Sequence, residues 1–265
     1  MLVPSFVAKV ARAKEHLVDL EAEIGRYAAR HPYTVRETVQ GKRKRKVRRL
    51  VFTADPANTD IPLITADAIY NLRSALDHLM SSLVPSSRRA SVMFPVFFHG
   101  VWDPLVPGES SQRRKDRERW ESTIKTLPAA AVAVLKSLQP PDASAYGEDS
   151  DILRIVNALS NTDRHTKLPV VASGLRDMRL QFTKADGTVQ HAIANPEPFH
   201  VFTNHAEIHD LPYNAMDMKI QGVAVVAIAL GVQKERRYIT LPDKLTHAAR
   251  VIEDRVIPAL SPFVR

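Results

Sequence analysis

Apolar residues recur every three or four positions from Val3 onward, at Phe6, Val10, Ala13, Leu17, Leu20, Ile24 and Tyr27, the spacing of a helix with one buried stripe. A long first helix ending near Arg30 is expected. Residues 33–39 and 47–52 then read as two β-rich stretches around Gly41, the pattern of a hairpin. Asp55, Pro56 and Asn58 break it, and a second helix is expected over 61–83. Residues 86–112 read as a long loop with one apolar piece at 93–98. A third helix is expected over 117–138, stopped by Pro140 and Pro141, and a fourth over 151–164. The alternation of Met178, Leu180 and Phe182, the turn Asp186-Gly187 and the Val- and Ala-rich stretch 220–230 predict antiparallel strands. Leu245, Ala249, Ile252 and Val256 share one face of a closing helix over 243–260.

Helices, then strands, then a last helix make an α+β expectation. It comprises a helical region over 1–170 with a β-hairpin at about 33–53, an antiparallel β region over 171–240 and a closing C-terminal helix over 241–265, in one compact unit.

The chain has 265 residues and no cysteine, which excludes disulfides, thiolate metal sites and cysteine nucleophiles and fits a reducing compartment. The N-terminus lacks a continuous apolar run followed by a cleavage site, and the apolar stretch 222–232 is shorter than the roughly 20 residues a bilayer requires. A cytoplasmic protein with no membrane association is expected. Lys and Arg number 37 against 29 Asp and Glu, a net charge of +8. Seven of the cations, Lys42, Arg43, Lys44, Arg45, Lys46, Arg48 and Arg49, sit in one run, so the basic character is local. The run suits either a nucleic-acid arm or a hairpin edge protected by charge. Arg113, Arg114, Lys115, Arg117 and Arg119 form a smaller basic patch.

On a wheel, the second helix places Ala68, Leu72, Ala75, Leu76, Leu79 and Leu83 on one face. Opposite them fall Asp67, Asn71, Ser74 and His78: a carboxylate, an amide, a hydroxyl and an imidazole in one stripe. Arg73 and Asp77 flank it as i,i+4 neighbours, which on an exposed face would be an ion pair of small energetic worth. On the fourth helix Asn157, Asn161, Arg164 and His165 also cluster, so two polar stripes could meet in one groove. Helix-end preferences explain the same residues without chemistry.

The string Asn71-Leu72-Arg73-Ser74-Ala75-Leu76-Asp77-His78-Leu79 resembles the HEPN superfamily, whose members carry an Arg, four to six residues and a His on a helix of a small bundle. The later string Asn161-Thr162-Asp163-Arg164-His165 is similar to a second motif associated with the same bacterial proteins. The resemblance implies a HEPN-like helical bundle and a metal-independent endoribonuclease of the toxin or phage-defence kind, without a cofactor or metal. A ribose 2′-hydroxyl would attack the adjacent phosphate. His78 would act as general acid or base, since an imidazole titrates near neutrality. Arg73 would stabilise the charge developing on the phosphate.

Asn71 would orient His78, with Asp77 alongside; Asp67 and Ser74 would support the site, and Asn161, Asp163, Arg164 and His165 would buttress it or add an acid–base group. Arg73 and His78 diverge by about 140° on the helix, so closure of the site would need a second surface, which the resemblance places at a homodimer interface. RNA would be the partner of the site, guided by the basic run, and an antitoxin or other protein a further partner. The alternative is a non-catalytic ligand- or protein-binding module using the same polar faces. His205 and His209 stand four apart but lack the zincin pattern and read as exposed loop histidines; Gly-rich phosphate loops and nucleophile elbows are absent.

Overall fold

The computed structural model describes residues 3–30, 33–40, 47–54, 60–97, 101–103, 110–139, 148–165, 170–184, 186–193, 206–211, 215–230 and 237–265. Helix α1 spans Ser5–Ala29 and buries its stripe from Phe6 to Tyr27. Helix α2 spans Asp60–Leu83. It buries Ala68, Leu72, Ala75, Leu76, Leu79 and Leu83 as its periodicity predicts, and also Ile69, Met80 and the polar Asn71 and Arg73. At roughly 1.5–3 kcal/mol for each buried leucine, this apolar face outweighs any exposed ion pair at roughly 0–1 kcal/mol.

A tight 3-10 turn, Ser86–Ser91, leads into an irregular segment at 93–97. The single helix expected over 117–138 is two helices. Helix α3, Ser111–Ile124, starts earlier than expected because the Ser110 hydroxyl accepts the Arg113 amide at 3.2 Å and caps it. Helix α4, Ala129–Ser137, starts after Pro128, whose ring disfavours helical backbone in the residue before it. Helix α5 is Glu148–His165. The closing helix is also interrupted: α6, Asp243–Val251, passes through a π turn at Ile252–Val256 into the short α7, Ile257–Leu260.

The chain divides into two units. The first comprises Met1–Asp19, Ile64–Leu168 and Asp243–Arg265, and the second Leu20–Leu63 and Pro169–Pro242. Residues 20–63 therefore group with the later part of the chain, whereas the sequence pattern assigned all of 1–170 to one helical region. In the first unit, Lys14 of α1 is ion-paired with Glu253 of the π turn, and Trp120 is the one buried residue of the strongly polar α3.

In the second unit the described backbone includes extended segments β1 (Tyr33–Gln40), β2 (Val47–Ala54), β3 (Val170–Lys184), β4 (Val189–Ile193), β5 (Ala206–Leu211), β6 (Ala215–Leu230) and β7 (Arg237–Leu241). They pair antiparallel in the orders β1-β2-β5 and β4-β3-β6-β7. Tyr33 stands opposite Ala54 and Gln40 opposite Val47. His209 lies in β5 rather than in a loop, and His205 falls outside the described residues.

These segments do not set the fold class. Seven helices carry the part of the protein on which the fold class rests, 78% of it helical and none of it strand. That finding overturns the expected α+β class, with its inserted hairpin and antiparallel β portion, in favour of a helical protein. The physical reason is where the core lies. Alternating apolar residues predict extended backbone, but a fold class is set by the layers that bury one another, and among the residues whose side chains are described the buried ones lie mostly in helices.

Candidate functional site

Arg73 is the most heavily bonded polar side chain of α2. It is only 5% exposed. Its Nη2 donates to Asp77 Oδ1 at 2.7 Å and its Nε to Asp77 Oδ2 at 3.2 Å, a two-pronged grip on a carboxylate one helical turn away. Nη2 also donates to the Phe94 carbonyl at 2.9 Å, and Nη1 to Asn157 Oδ1 on α5 at 3.1 Å. All three guanidinium nitrogens are thus engaged within the chain. Asp77 Oδ1 in turn accepts the Phe94 amide at 2.8 Å. The pair therefore offers the Phe94 peptide both a donor and an acceptor, as a neighbouring strand would.

The other end of the same segment is held in the same manner. Gln139, 5% exposed, accepts the Phe97 amide on Oε1 at 2.9 Å and donates from Nε2 to the Pro95 carbonyl at 3.1 Å and the Leu135 carbonyl at 3.0 Å. Irregular backbone inside a protein must find hydrogen-bond partners, and here side chains supply them. Phe97 stands edge-on to Trp120, with ring centroids 6.3 Å apart, and Trp102 packs on Trp120 at 5.3 Å. Trp120 thereby ties α3 to the segment.

Against this fixed wall lies a cleft of about 650 Å³, lined by Arg73 and 93–97 on one side, Lys115 and Arg119 of α3, and Asn157 and Asn161 of α5. Its volume falls within the range of small-ligand sites, roughly 300–1,000 Å³. Lys115 is exposed and has no ion-pair partner among the described residues. Arg119 is exposed too, with the Asp116 carboxylate 3.8 Å away. Asn157 gives its oxygen to Arg73, which leaves its amide NH2 as the group free to meet a ligand. A larger groove of about 910 Å³ between α3 and α4 mixes Glu and Lys side chains over small apolar ones and contains no buried polar group.

The residues expected to do chemistry part company here. Arg73 and Asp77 face the 93–97 segment, whereas His78 is exposed, with Nδ1 3.0 Å from the Ser5 hydroxyl of α1. Asn71 does not orient His78. It is buried, donates to the Asp67 carbonyl at 2.8 Å and accepts Lys9 Nζ at 3.2 Å, while that ammonium also lies 5.1 Å from the centre of the Tyr70 ring. Asp67 is exposed and Ser74 half-buried. On α5, Asn161 reaches the cleft, Asp163 is exposed, and Arg164 and His165 are described by backbone alone. Arg48 and Arg49 stand opposite Val39 and Thr38 in the β1–β2 register; Lys42, Arg43, Lys44, Arg45 and Lys46 lie outside the described residues. Among the described residues no cluster of three His, Asp or Glu could hold a metal ion, and no helix is long and apolar enough to cross a membrane.

Sequence reasoning missed Gln139. A glutamine just before Pro140-Pro141 reads as the end of a helix, and its partners at 95 and 97 lie too far along the chain for any periodicity to reveal them. Comparison with family models, curated proteins and solved structures returned no match. The HEPN resemblance therefore rests on its two strings alone.

Proposed function

We propose that the helical unit is a non-catalytic binding module that takes an anionic ligand in the cleft between the 93–97 segment, α3 and α5. The observation that carries this reading is the contrast in saturation along the cleft wall. Arg73 is buried and fully engaged, while Lys115 and Arg119 stand exposed with little or no counter-charge. A charge already neutralised by a carboxylate has little left for a ligand, whereas exposed cations around a cleft attract anions and speed their capture.

The ribonuclease reading, with RNA, a homodimer and an antitoxin as its partners, lacks such an observation. A second protomer would not release Arg73 from contacts made inside its own chain. The binding reading is tested by titrating the full-length protein with inorganic polyphosphate, a generic polyanion, at low salt. Binding that weakens with salt and is lost in the Lys115→Glu/Arg119→Glu variant is expected. Binding indifferent to the double variant, or no binding of either polyphosphate or an acidic polypeptide, overturns it.

A further inference from the structure

Each of the two helical walls of the cleft carries two polar residues four positions apart. On α3 the pair is Lys115 and Arg119, and on α5 it is Asn157 and Asn161. Each pair is one turn apart, which sets its members about 6 Å apart along the helix. An extended peptide repeats every two residues, a spacing of roughly 6.6–6.8 Å. Resting on the binding-module reading, we infer that the ligand is an acidic peptide segment lying extended along the cleft, its backbone held by the asparagines and its alternate acidic side chains by the cations.

The chemistry of each group fits that occupant. A side-chain amide offers the donor and acceptor that a peptide unit needs. Asn157, whose oxygen is taken by Arg73, supplies an N–H to a peptide carbonyl; Asn161, exposed at the cleft, has both functions to offer. Glu118 also lines the cleft. Its carboxylate can accept a peptide N–H, a donor that a chain of phosphates does not offer. Met93, 58% exposed, and Phe97 give the residues between the acidic ones an apolar shelf. Two neutral amides, one acid, two bases and an apolar floor suit a polypeptide better than a uniformly charged polymer.

The test is fluorescence anisotropy on the full-length protein with a labelled hexapeptide alternating valine and aspartate. Its comparators are the same peptide N-methylated at alternate backbone nitrogens, single-stranded oligouridylate and inorganic polyphosphate. Binding of the hexapeptide is expected to weaken about 10-fold or more in Lys115→Glu/Arg119→Glu and about 2- to 10-fold in Asn161→Ala, and to weaken markedly on N-methylation. These positions are exposed, so an unchanged melting temperature separates binding from folding. Cation-dependent polyphosphate binding without hexapeptide binding would overturn the peptide assignment and leave the binding module standing. Indifference to both N-methylation and Asn161→Ala, or tighter binding of oligouridylate than of the hexapeptide, would overturn the assignment too. If neither polyphosphate nor peptide binds, the binding module falls with it.

Discussion

Helices α2 and α3 border the same cleft with the same kind of side chain and use it in opposite ways. On α2, Arg73 is buried, and Asp77, the Phe94 carbonyl and Asn157 occupy it. On α3, Lys115 and Arg119 are exposed, and the Asp116 carboxylate stands 3.8 Å from Arg119. The first is architecture: it fixes the wall of the cleft. The second is available to a ligand. Residue type and helical spacing alone do not separate the two roles; burial and the number of donors already engaged do.

The sharpest way to break this contrast is to truncate the buried cation. Arg73→Ala leaves Asp77 half-buried without its partner and removes the donor to the Phe94 carbonyl, so a loss of about 3–5 kcal/mol is expected in urea denaturation. A loss below about 1 kcal/mol would mean that Arg73 is a surface charge like Lys115. Arg73→Lys, which keeps the charge but not the fork, is expected to recover only part of that stability.

Gln139→Leu comes next. It strands the half-buried Phe97 amide and the buried Pro95 carbonyl, and a cost of about 1–3 kcal/mol is expected from thermal unfolding. Lys115→Glu/Arg119→Glu, by contrast, is expected to shift stability by no more than about 0.5 kcal/mol while abolishing polyphosphate binding. A large fall in its melting temperature would move these cations into the architectural class.

The smallest effect is expected at His78. Its side chain is exposed and, among the described residues, bonds to the Ser5 hydroxyl alone, so His78→Ala is expected to change stability by less than about 0.5 kcal/mol. Total RNA incubated with wild type in EDTA is expected to stay intact. Cutting by wild type that disappears in His78→Ala would restore the ribonuclease reading.

What the sequence made legible follows from which contacts are local. The α1 stripe and the apolar face of α2 recur within a few residues, and both are buried as their periodicity predicts. The Arg73–Asp77 pair was readable as i,i+4 neighbours, but not its burial, because Phe94 and Asn157 come from 21 and 84 residues away. The expected meeting of the α2 and α5 polar stripes in one groove is not what forms the cleft: Asn157 and Asn161 reach it with Arg73, which only flanks the α2 stripe, while Asp67, Asn71, Ser74 and His78 do not line it. The break between α3 and α4 had its signal in Pro128, outweighed by the apolar run that follows. Strand-like alternation in the second half of the chain predicted extended backbone without showing which faces build the core.

The central claim is that buried side chains hold the 93–97 segment as a fixed wall, and amide hydrogen exchange reads it most directly. The Phe94 and Phe97 amides, bonded to Asp77 and Gln139, are predicted to exchange far more slowly than free peptide amides despite lying outside any helix or strand, and the Phe94 amide to lose that protection in Arg73→Ala. Exchange of both amides at unprotected rates in the wild type would contradict the account.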